Sequence, residues 1–176
     1  MSFFKDDLKQ IRAMLFDVDG VLSSDTSPID VNGDPMRTAN VKDGYAIRYA
    51  LEGGFTIGVI TGGAQQSVKL RHQKLGVVYY YQNVRDKTAS LDDFILITGI
   101  PANQILFMGD DLVDYEIMKK VGIATCPSDA VPEIKLISRY VSDRKGGEGC
   151  VRDVIEQVMR AQGKWFSNGL NQKQAF

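Results

Sequence analysis

Histidine and cysteine are scarce in this chain, and long apolar segments are absent. The 176 residues include one histidine, His72, and two cysteines, Cys126 and Cys150, which form neither a CxxC pair nor a disulfide framework. A zinc site of the usual histidine and cysteine type is therefore not expected. No apolar run approaches the length of a membrane span, and the first residues, MSFFKDDLKQ, are acidic where a signal peptide has an apolar core. We therefore expect a cytoplasmic protein.

An excess of either charge is also missing. The 21 basic residues are balanced by 22 acidic ones, which gives a net charge of −1. Without a basic surface, the sequence predicts neither nucleic acid nor an anionic membrane as a partner. The hydrophobic content of 44% and charged content of 24% are typical of globular proteins and argue against a disordered chain. Any chemistry carried out by this chain is expected to depend on carboxylates.

Short apolar runs alternate with amphipathic stretches, which is typical of repeated βα units around a mostly parallel sheet. The apolar runs predict strands at Ala13–Phe16, Phe55–Ile60, Val77–Tyr81, Ile105–Met108 and Ile123–Thr125. The amphipathic stretches predict helices at Val41–Glu52, Gln65–Leu75, Lys87–Ile97, Asp111–Val121 and Val151–Gln162. The sequence therefore predicts an α/β fold, a Rossmann-like three-layer sandwich with a central, mostly parallel sheet.

One segment, residues 25–40, interrupts this alternation. Its Asn32-Gly33 dipeptide is a strong hairpin turn signal between the short runs Pro28–Val31 and Pro35–Thr38. We predict a β-hairpin that projects above the carboxyl end of the first strand, the edge at which open α/β sheets bind ligands. The chain is predicted to form one domain over residues 1–162, followed by a C-terminal tail over residues 163–176.

Acidic residues follow two of the predicted buried strands. Asp17 and Asp19 come after the first strand, and Asp110, Asp111 and Asp114 come after the fourth. A helix cap or turn would explain one aspartate at each place, but not two acidic strand ends in one domain. In a parallel sheet these strand ends share an edge, where close carboxylates repel each other unless a cation joins them. Because Mg²⁺ prefers oxygen ligands, the sequence predicts a magnesium site there.

Two further positions fit a phosphate ligand. The second strand ends in Thr61-Gly62-Gly63, whose hydroxyl and backbone amides could hold phosphate oxygens, although this is also an ordinary loop sequence. Lys87 begins a predicted helix and could offset phosphate charge, although a lone lysine is more often solvated.

The order of these motifs, Asp-x-Asp, then threonine, then lysine, then Gly-Asp-Asp-x-x-Asp, resembles the haloacid dehalogenase superfamily of phosphatases. The resemblance implies that Asp17 attacks phosphorus and forms an aspartyl phosphate. It implies that Asp19 protonates the leaving oxygen and then activates water. Thr61, Gly62 and Lys87 would hold the phosphoryl group.

The same resemblance implies a ligand set for magnesium. Asp17, the backbone carbonyl of Asp19 and Asp110 would bind the ion, and Asp111 and Asp114 would support the site. These roles agree with the chemistry of phosphate ester hydrolysis. A metal ion and a lysine offset the charge of the phosphate, and two carboxylates divide the nucleophilic and the acid–base work.

The lengths of the segments between the motifs indicate a capless member of the superfamily. They leave no room for the cap domain that many members carry. The capless pattern with a hairpin is similar to the family that hydrolyses 3-deoxy-D-manno-octulosonate 8-phosphate in lipopolysaccharide sugar synthesis. The stretches that carry this similarity are Phe16–Ser23, Asn32–Gly44, Ile60–Gly63, Gly109–Asp114 and Lys145–Cys150. The resemblance implies a homotetramer in which hairpins form a central barrel and neighbouring subunits close each site.

One position departs from that family. Relatives often have arginine where this chain has Ala64, and an arginine there would suit the carboxylate of a sugar acid. Arg71, Arg37 or Lys42 could compensate, although such residues on a helix or hairpin are usually solvated. Phosphates of related nine-carbon keto sugar acids are therefore alternative substrates.

Two other classes of protein are kept as alternatives. Receiver domains of signalling systems also cluster aspartates, threonine and lysine around an aspartyl phosphate, but they place an adjacent acidic pair after the first strand. Here the adjacent pair, Asp110-Asp111, comes after the lysine. A catalytically silent scaffold is the other alternative, and the intact motifs argue against it.

Overall fold

The structure, a computed structural model, describes residues 4–166. Within that range six strands form one sheet: β1 (Ala13–Phe16), β2 (Thr56–Ile60), β3 (Tyr79–Tyr81), β4 (Ile105–Met108), β5 (Ile123–Cys126) and β6 (Tyr140–Val141). The α-helices are α1 (Phe4–Leu8), α2 (Val41–Glu52), α3 (Gln66–Lys74), α4 (Lys87–Thr98), α5 (Tyr115–Lys120), α6 (Pro132–Ile137) and α7 (Cys150–Ala161). The strand order is β3-β2-β1-β4-β5-β6, and every neighbouring pair is parallel.

Helices cover both faces of the sheet because its central strands are apolar on both sides. Along β1, Met14 and Phe16 point into a core formed with α1, α2, α3 and α7. Ala13 and Leu15 point into the opposite core, formed with α4, α5 and α6. All four side chains are fully buried. The predicted α/β three-layer sandwich with a parallel sheet is confirmed.

The positions of β1 and β4 matter most for function. They are neighbours at the centre of the sheet, and Phe16 at the end of β1 pairs with Met108 at the end of β4. On the other side, Phe16 pairs with Val59 of β2. The carboxyl ends of three strands thus meet at one edge, as ligand sites of open α/β sheets require.

Several short elements differ from the prediction. The strand β6 and the helices α1 and α6 were not predicted, since two to six residues are too few to show a clear periodicity. The predicted helix at Asp111–Val121 is wrong at its start, where Leu112–Asp114 form a 3-10 turn and α5 follows. Asp111 caps that turn by accepting a hydrogen bond from the backbone N–H of Leu112 at 2.7 Å.

The predicted hairpin, residues 25–40, is present as a tight turn with little strand. Asp30 N–H donates to Asp34 O and Met36 N–H to Pro28 O, both at 2.8 Å, and Ile29 and Pro35 form one antiparallel bridge. Longer pairing is limited because proline has no N–H to donate. We call residues 25–40 the hairpin segment.

The start of the predicted tail is attached to the domain. Trp165 is 9% exposed and its ring meets that of Tyr49 edge-on, with centroids 5.1 Å apart. The guanidinium of Arg152 lies 5.4 Å from the Trp165 ring centroid. The rest of the tail, residues 167–176, lies outside the described residues. Over residues 4–166 no helix has the length and apolar character needed to cross a membrane.

Candidate active site

The ends of β1 and β4 bring the predicted acidic residues together. The backbone N–H of Asp17 donates to Met108 O at 3.1 Å, which extends the pairing of the two strands by one residue. Carboxylate oxygens of Asp17, Asp110 and Asp114 all lie within 4.8 Å of one another. The predicted juxtaposition of the two acidic strand ends is therefore present in the fold.

Two glycines leave the space that these carboxylates occupy. A Cβ placed at Gly20 would collide with the carboxylate of Asp110, and Gly20 has a φ of +75° that suits glycine. A Cβ placed at Gly109 would collide with the side chain of Asp114. The close packing of the acidic cluster thus depends on Gly20 of the Asp-x-Asp-Gly motif and on Gly109 of the Gly-Asp-Asp motif.

The two acids that were predicted to support the site differ in position. Asp114 is completely buried, and its Oδ2 accepts from the backbone N–H of Asp110 at 3.1 Å. Asp111 is exposed, and its carboxylate caps the 3-10 turn. The cluster of three carboxylates contains Asp114 and not Asp111.

Lys87 is buried inside the acidic cluster, so the interpretation of a solvated surface lysine does not apply. Its Nζ lies 2.9 Å from Asp17 Oδ2 and 2.6 Å from Asp114 Oδ1, and the residue is 6% exposed. It is the first residue of α4, which Asp86 caps by accepting from the N–H of Thr88 at 2.9 Å. Burial by itself would lower the pKa of Lys87, but the two carboxylates raise the pKa above its ordinary value. Lys87 is therefore a fixed positive charge.

One lysine does not compensate three close carboxylates. Burial, with a smaller contribution from Asp114, raises the pKa of Asp17 to about 7, although Lys87 and the N–H of Val18 act in the opposite direction. Burial and the charges of Asp17, Asp114 and Asp111 raise the pKa of Asp110 to about 8. In the metal-free protein the cluster therefore holds protons that a divalent cation would displace.

These carboxylates fit a hard divalent cation. They offer only oxygen donors, and these lie close enough together to bind one ion. Their negative charges are not balanced by the nearby lysine, and besides burial this repulsion helps to raise the pKa of Asp110. No histidine or cysteine takes part in this three-residue group, which disfavours a zinc-type site. Asp17 and Asp110 are the better candidate ligands, because both oxygens of Asp114 already accept from Lys87 and Asp110.

Asp19 lies at the rim of the cluster, where its side chain is 47% exposed. Arg37 of the hairpin segment donates to both of its oxygens, from Nε to Oδ1 at 2.8 Å and from Nη2 to Oδ2 at 2.9 Å. The sequence marked Arg37 as a candidate for binding a substrate carboxylate, but it gave no sign of this pair with Asp19.

The loop after β2 lies beside this site. Thr61 is 2% exposed, and its Oγ1 accepts from the N–H of Gly63 at 3.0 Å, which fixes the turn that contains Gly62. The N–H of Asn83 donates to Gly63 O, and the N–H of Val84 donates to Thr61 O, both at 3.1 Å. The helix α3 starts only at Gln66, so Gly62 lies in a loop ahead of the helix and not at its first turn.

A pocket opens next to the Asp-x-Asp motif, between the hairpin segment, α2 and α3. Val18, Arg37, Asn40, Arg71 and His72 are among the residues that line it. Among residues 4–166 Arg71 has no acidic partner, and a Cβ at Gly44 would lie 2.7 Å from its Nη2. Burial lowers the pKa of His72, whose Nδ1 lies 2.8 Å from Val68 O. Arg71 thus lies in the pocket beside the cluster and makes no contact with the cluster itself.

Comparisons with known proteins place this chain in a family. A family model described as haloacid dehalogenase-like hydrolase matches residues 72–154. The 3-deoxy-D-manno-octulosonate 8-phosphate phosphatase KdsC of Salmonella typhi is 36% identical over 156 residues, which span 89% of this chain and 83% of the relative. The crystal structure of the 3-deoxy-D-manno-octulosonate 8-phosphate phosphatase from Yersinia pestis superimposes with a TM-score of 0.87 at 31% identity, covering 91% of this chain and 86% of the other.

A further structure carries ligands. The 3-deoxy-D-manno-octulosonate 8-phosphate phosphatase from Moraxella catarrhalis was solved with a magnesium ion, a phosphate ion and a KDO molecule, and it superimposes with a TM-score of 0.87 at 27% identity, covering 92% of both chains. The chain belongs to the haloacid dehalogenase-like hydrolases. Over most of its length it is similar to phosphatases of a keto sugar acid phosphate. The receiver-type alternative is not retained.

The stability of the metal-free protein is expected to fall as the pH rises. The pKa values of about 7 for Asp17 and about 8 for Asp110 exceed the ordinary value of 3.8, so the folded state binds more protons than the unfolded state between these limits. The stabilising protonation is complete below about pH 4 and is lost as the pH rises from there through the raised pKa values, which lowers the free energy of unfolding by several kcal/mol. Urea unfolding in a chelator at several pH values measures this slope.

Magnesium should reverse the pH dependence of the free energy of unfolding. The ion binds only the ionised carboxylates, and it stabilises the folded state by mass action. The gain in unfolding free energy should therefore be larger at about pH 8 than at about pH 5. Asp110→Asn is the matched variant, and it should flatten the pH dependence in chelator and weaken the response to magnesium. A wild-type protein with the same stability at both pH values, with or without magnesium, would contradict the prediction.

Proposed function

We propose that this chain is a magnesium-dependent phosphomonoester hydrolase that acts on 3-deoxy-D-manno-octulosonate 8-phosphate in lipopolysaccharide sugar synthesis. The observation that carries the proposal is the buried contact of Lys87 with Asp17 inside a cluster of three carboxylates. The names of the similar proteins supply the substrate class, a phosphate ester of a keto sugar acid. A phosphatase uses such a site to offset the charge of the phosphoryl group.

Asp17 is the proposed nucleophile. Its Oδ1 accepts from the N–H of Val18 at 2.7 Å and its Oδ2 contacts Lys87 at 2.9 Å, so the carboxylate is held rigidly at the end of β1. A carboxylate oxygen of Asp17 attacks phosphorus, the bond between phosphorus and the sugar oxygen breaks, and an aspartyl phosphate forms. Asp19 gives its proton to the departing sugar oxygen in this step.

Water then hydrolyses the aspartyl phosphate. Asp19, now ionised, takes a proton from the attacking water, inorganic phosphate leaves, and Asp17 is regenerated as a carboxylate. Lys87, Thr61 and the amide of Gly62 are the proposed phosphoryl ligands, and Lys87 keeps its position through Asp114. Magnesium, held by Asp17, Asp110 and the backbone carbonyl of Asp19, would neutralise the oxygens of the transferred group.

The proposed sugar site is the pocket beside Asp17. Arg71, whose charge is not compensated by any described acidic residue, is the proposed ligand of the substrate carboxylate, in place of the arginine that relatives often have at position 64. Asp43 also lines this pocket, where burial raises its pKa to about 6, but its Oδ1 accepts from the N–H of Arg152 at 2.7 Å and it forms no ion pair with Arg71. A substrate with a second anionic group is therefore favoured.

A panel of phosphate esters tests this assignment of substrate. We expect wild type with magnesium to prefer the eight-carbon keto sugar acid phosphate over hexose phosphates by roughly 100-fold or more in kcat/KM, since a hydrogen-bonded charge pair discriminates by several kcal/mol. Arg71→Gln should raise KM for the sugar acid by roughly 10-fold and leave hexose phosphates unaffected. Arg48→Gln, an exposed arginine of α2 paired with Glu52, is the control.

Two outcomes would change the proposal. A preference for a nine-carbon keto acid phosphate would replace the substrate and keep the chemistry. Equal rates on all esters would remove the sugar-acid assignment.

The chain is also proposed to assemble, as a homotetramer in which neighbours close each site. The hairpin segment exposes Ile29, Val31 and Met36, with Val31 fully exposed, and such an apolar surface suits a protein interface. A buried and unpaired state of Cys126 and Cys150 fits the proposed cytoplasmic location. Sedimentation of a monomer at micromolar concentration would contradict the assembly.

A further inference from the structure

Arg37 is the only residue of the hairpin segment, among those described, that forms an ion pair with the acidic residues of the site. Its side chain is 9% exposed, whereas that of its partner Asp19 is 47% exposed. The guanidinium is therefore the more buried member of the pair. Removing a guanidinium from water is costly unless a fixed partner compensates its charge. The buried guanidinium therefore depends on Asp19, unlike an arginine in an exposed surface ion pair.

The contact fixes the orientation of Asp19. An exposed aspartate in a turn has several accessible rotamers, but two parallel N–H···O bonds at 2.8 and 2.9 Å select one plane of the carboxylate. These two N–H groups of Arg37, which we call the fork, occupy two of about four lone-pair positions of the carboxylate. The remaining positions stay available for a proton or for water.

Arg37 itself is held by its own segment. Its Nη1 donates to Pro35 O at 3.1 Å, and its Nη2 packs over Gly63, where a Cβ would lie 3.1 Å away. The next residue, Thr38, ties the segment to the loop that carries Asp19, since its N–H donates to Ser23 Oγ at 2.9 Å. The hairpin segment and the Asp19 loop therefore form one unit.

We propose that Arg37 is the positioning residue of Asp19, because its two hydrogen bonds hold the Asp19 carboxylate in one orientation. The proposal rests on the proposed function, in which Asp19 transfers protons. In the second step Asp19 takes a proton from the water that attacks the aspartyl phosphate, so a misoriented carboxylate slows that step. The first step needs Asp19 only where the leaving group must be protonated.

Burst kinetics with p-nitrophenyl phosphate separate the two steps, because this leaving group departs without an acid. For Arg37→Gln we expect a burst of nitrophenol close to wild type in rate and amplitude, followed by a steady state slower by roughly 10- to 100-fold. The KM should change little. Arg37→Lys keeps the charge but lacks the fork, so its steady-state rate should lie between those of wild type and Arg37→Gln.

A double-mutant cycle with Asp19→Asn separates positioning from a general effect on the fold. If Arg37 acts through Asp19, adding Arg37→Gln to Asp19→Asn should cost less than about 2-fold more in the steady-state rate. Arg48→Gln is the control for loss of a surface arginine, and thermal unfolding checks that each variant is folded. If Arg37→Gln does not fold, the Lys variant takes its place in the cycle.

Three results would overturn the proposal. One is an unchanged steady-state rate in Arg37→Gln. Another is an equal loss in burst and steady state. The third is a double variant whose losses multiply. A wild type that releases no phosphate with magnesium would instead overturn the function on which the proposal rests, and Arg48→Gln would then be inactive as well.

Discussion

The Asp17→Asn variant is expected to release no phosphate, with a loss in kcat of roughly 1,000-fold or more, while the protein stays folded. The amide has almost the shape of the carboxylate, but it cannot form the acyl phosphate on which both proposed steps depend. The fold should persist because Lys87 keeps its 2.6 Å contact with Asp114 and because one of three mutually repelling carboxylates is removed. Phosphate release with magnesium and thermal unfolding in chelator are the two measurements.

Asp19→Asn is the matched control for Asp17→Asn, since it also replaces a carboxylate of the Asp-x-Asp motif by an amide. It should retain the nucleophile and therefore accumulate covalent phosphate from an aryl phosphate, which acid quenching and mass measurement would detect. Asp17→Asn should show no such adduct. An adduct on Asp17→Asn, or turnover close to wild type, would refute the assignment of the nucleophile and favour another acceptor. Absence of turnover and of any adduct in wild type would favour the catalytically silent scaffold.

The position of the acidic site could be predicted from the sequence because it depends on only two rules. The runs at Ala13–Phe16 and Ile105–Met108 are apolar at every position, so they had to be buried strands with both faces covered. Parallel strands end at the same edge, so Asp17 and Asp110 had to lie near each other once β1 and β4 were neighbours. Both rules act on the backbone and need no knowledge of side-chain packing.

The finer arrangement depended on packing that the sequence does not encode locally. Asp111 and Asp114 looked equivalent as supporting acids, but the start of α4 brings Lys87 to Asp114, whereas Asp111 faces solvent. The pair of Arg37 and Asp19 joins residues 18 positions apart through a turn whose direction is set by Asp30 and Asn32-Gly33. No periodic pattern reports such a contact.

The contacts of buried polar groups could not be predicted from the sequence either. Asp43 lies in the first turn of α2, a position at which an aspartate is favoured without any tertiary contact. In the fold it is 1% exposed and accepts from the N–H of Arg152, so it links the beginnings of α2 and α7. The glycine-rich residues before α7 approach the same region, where Gly147 N–H donates to Val21 O at 2.8 Å. These contacts join segments about a hundred residues apart, and they anchor the loop behind the site.

Lys87→Met is the variant from which we expect combined losses of stability and activity. Methionine fills a similar volume but leaves Asp17 and Asp114 buried without a cation, and breaking a buried pair of this kind costs roughly 3–5 kcal/mol. The kcat should fall by roughly 100- to 1,000-fold, since one fixed charge on the transferred phosphoryl group is lost. Urea unfolding in chelator and phosphate release with magnesium measure the two effects.

The pH dependence of the Lys87→Met defect gives the sharpest test of its origin. Without Lys87 the pKa values of Asp17 and Asp114, already raised by burial, rise further, so the folded variant holds its protons to higher pH. Raised carboxyl pKa values stabilise the folded state at low pH and lose that effect as the pH rises through them. The destabilisation relative to wild type should therefore be small at about pH 5 and large at about pH 8.

Adding Asp114→Asn should restore part of the stability at the higher pH without restoring turnover. Lys119→Met, which removes an exposed lysine 3.5 Å from Glu116, should cost less than about 0.5 kcal/mol at either pH. A Lys87→Met protein as stable as wild type at the higher pH in chelator would mean that the two carboxylates do not need this lysine, and the charge balance proposed for the site would be wrong.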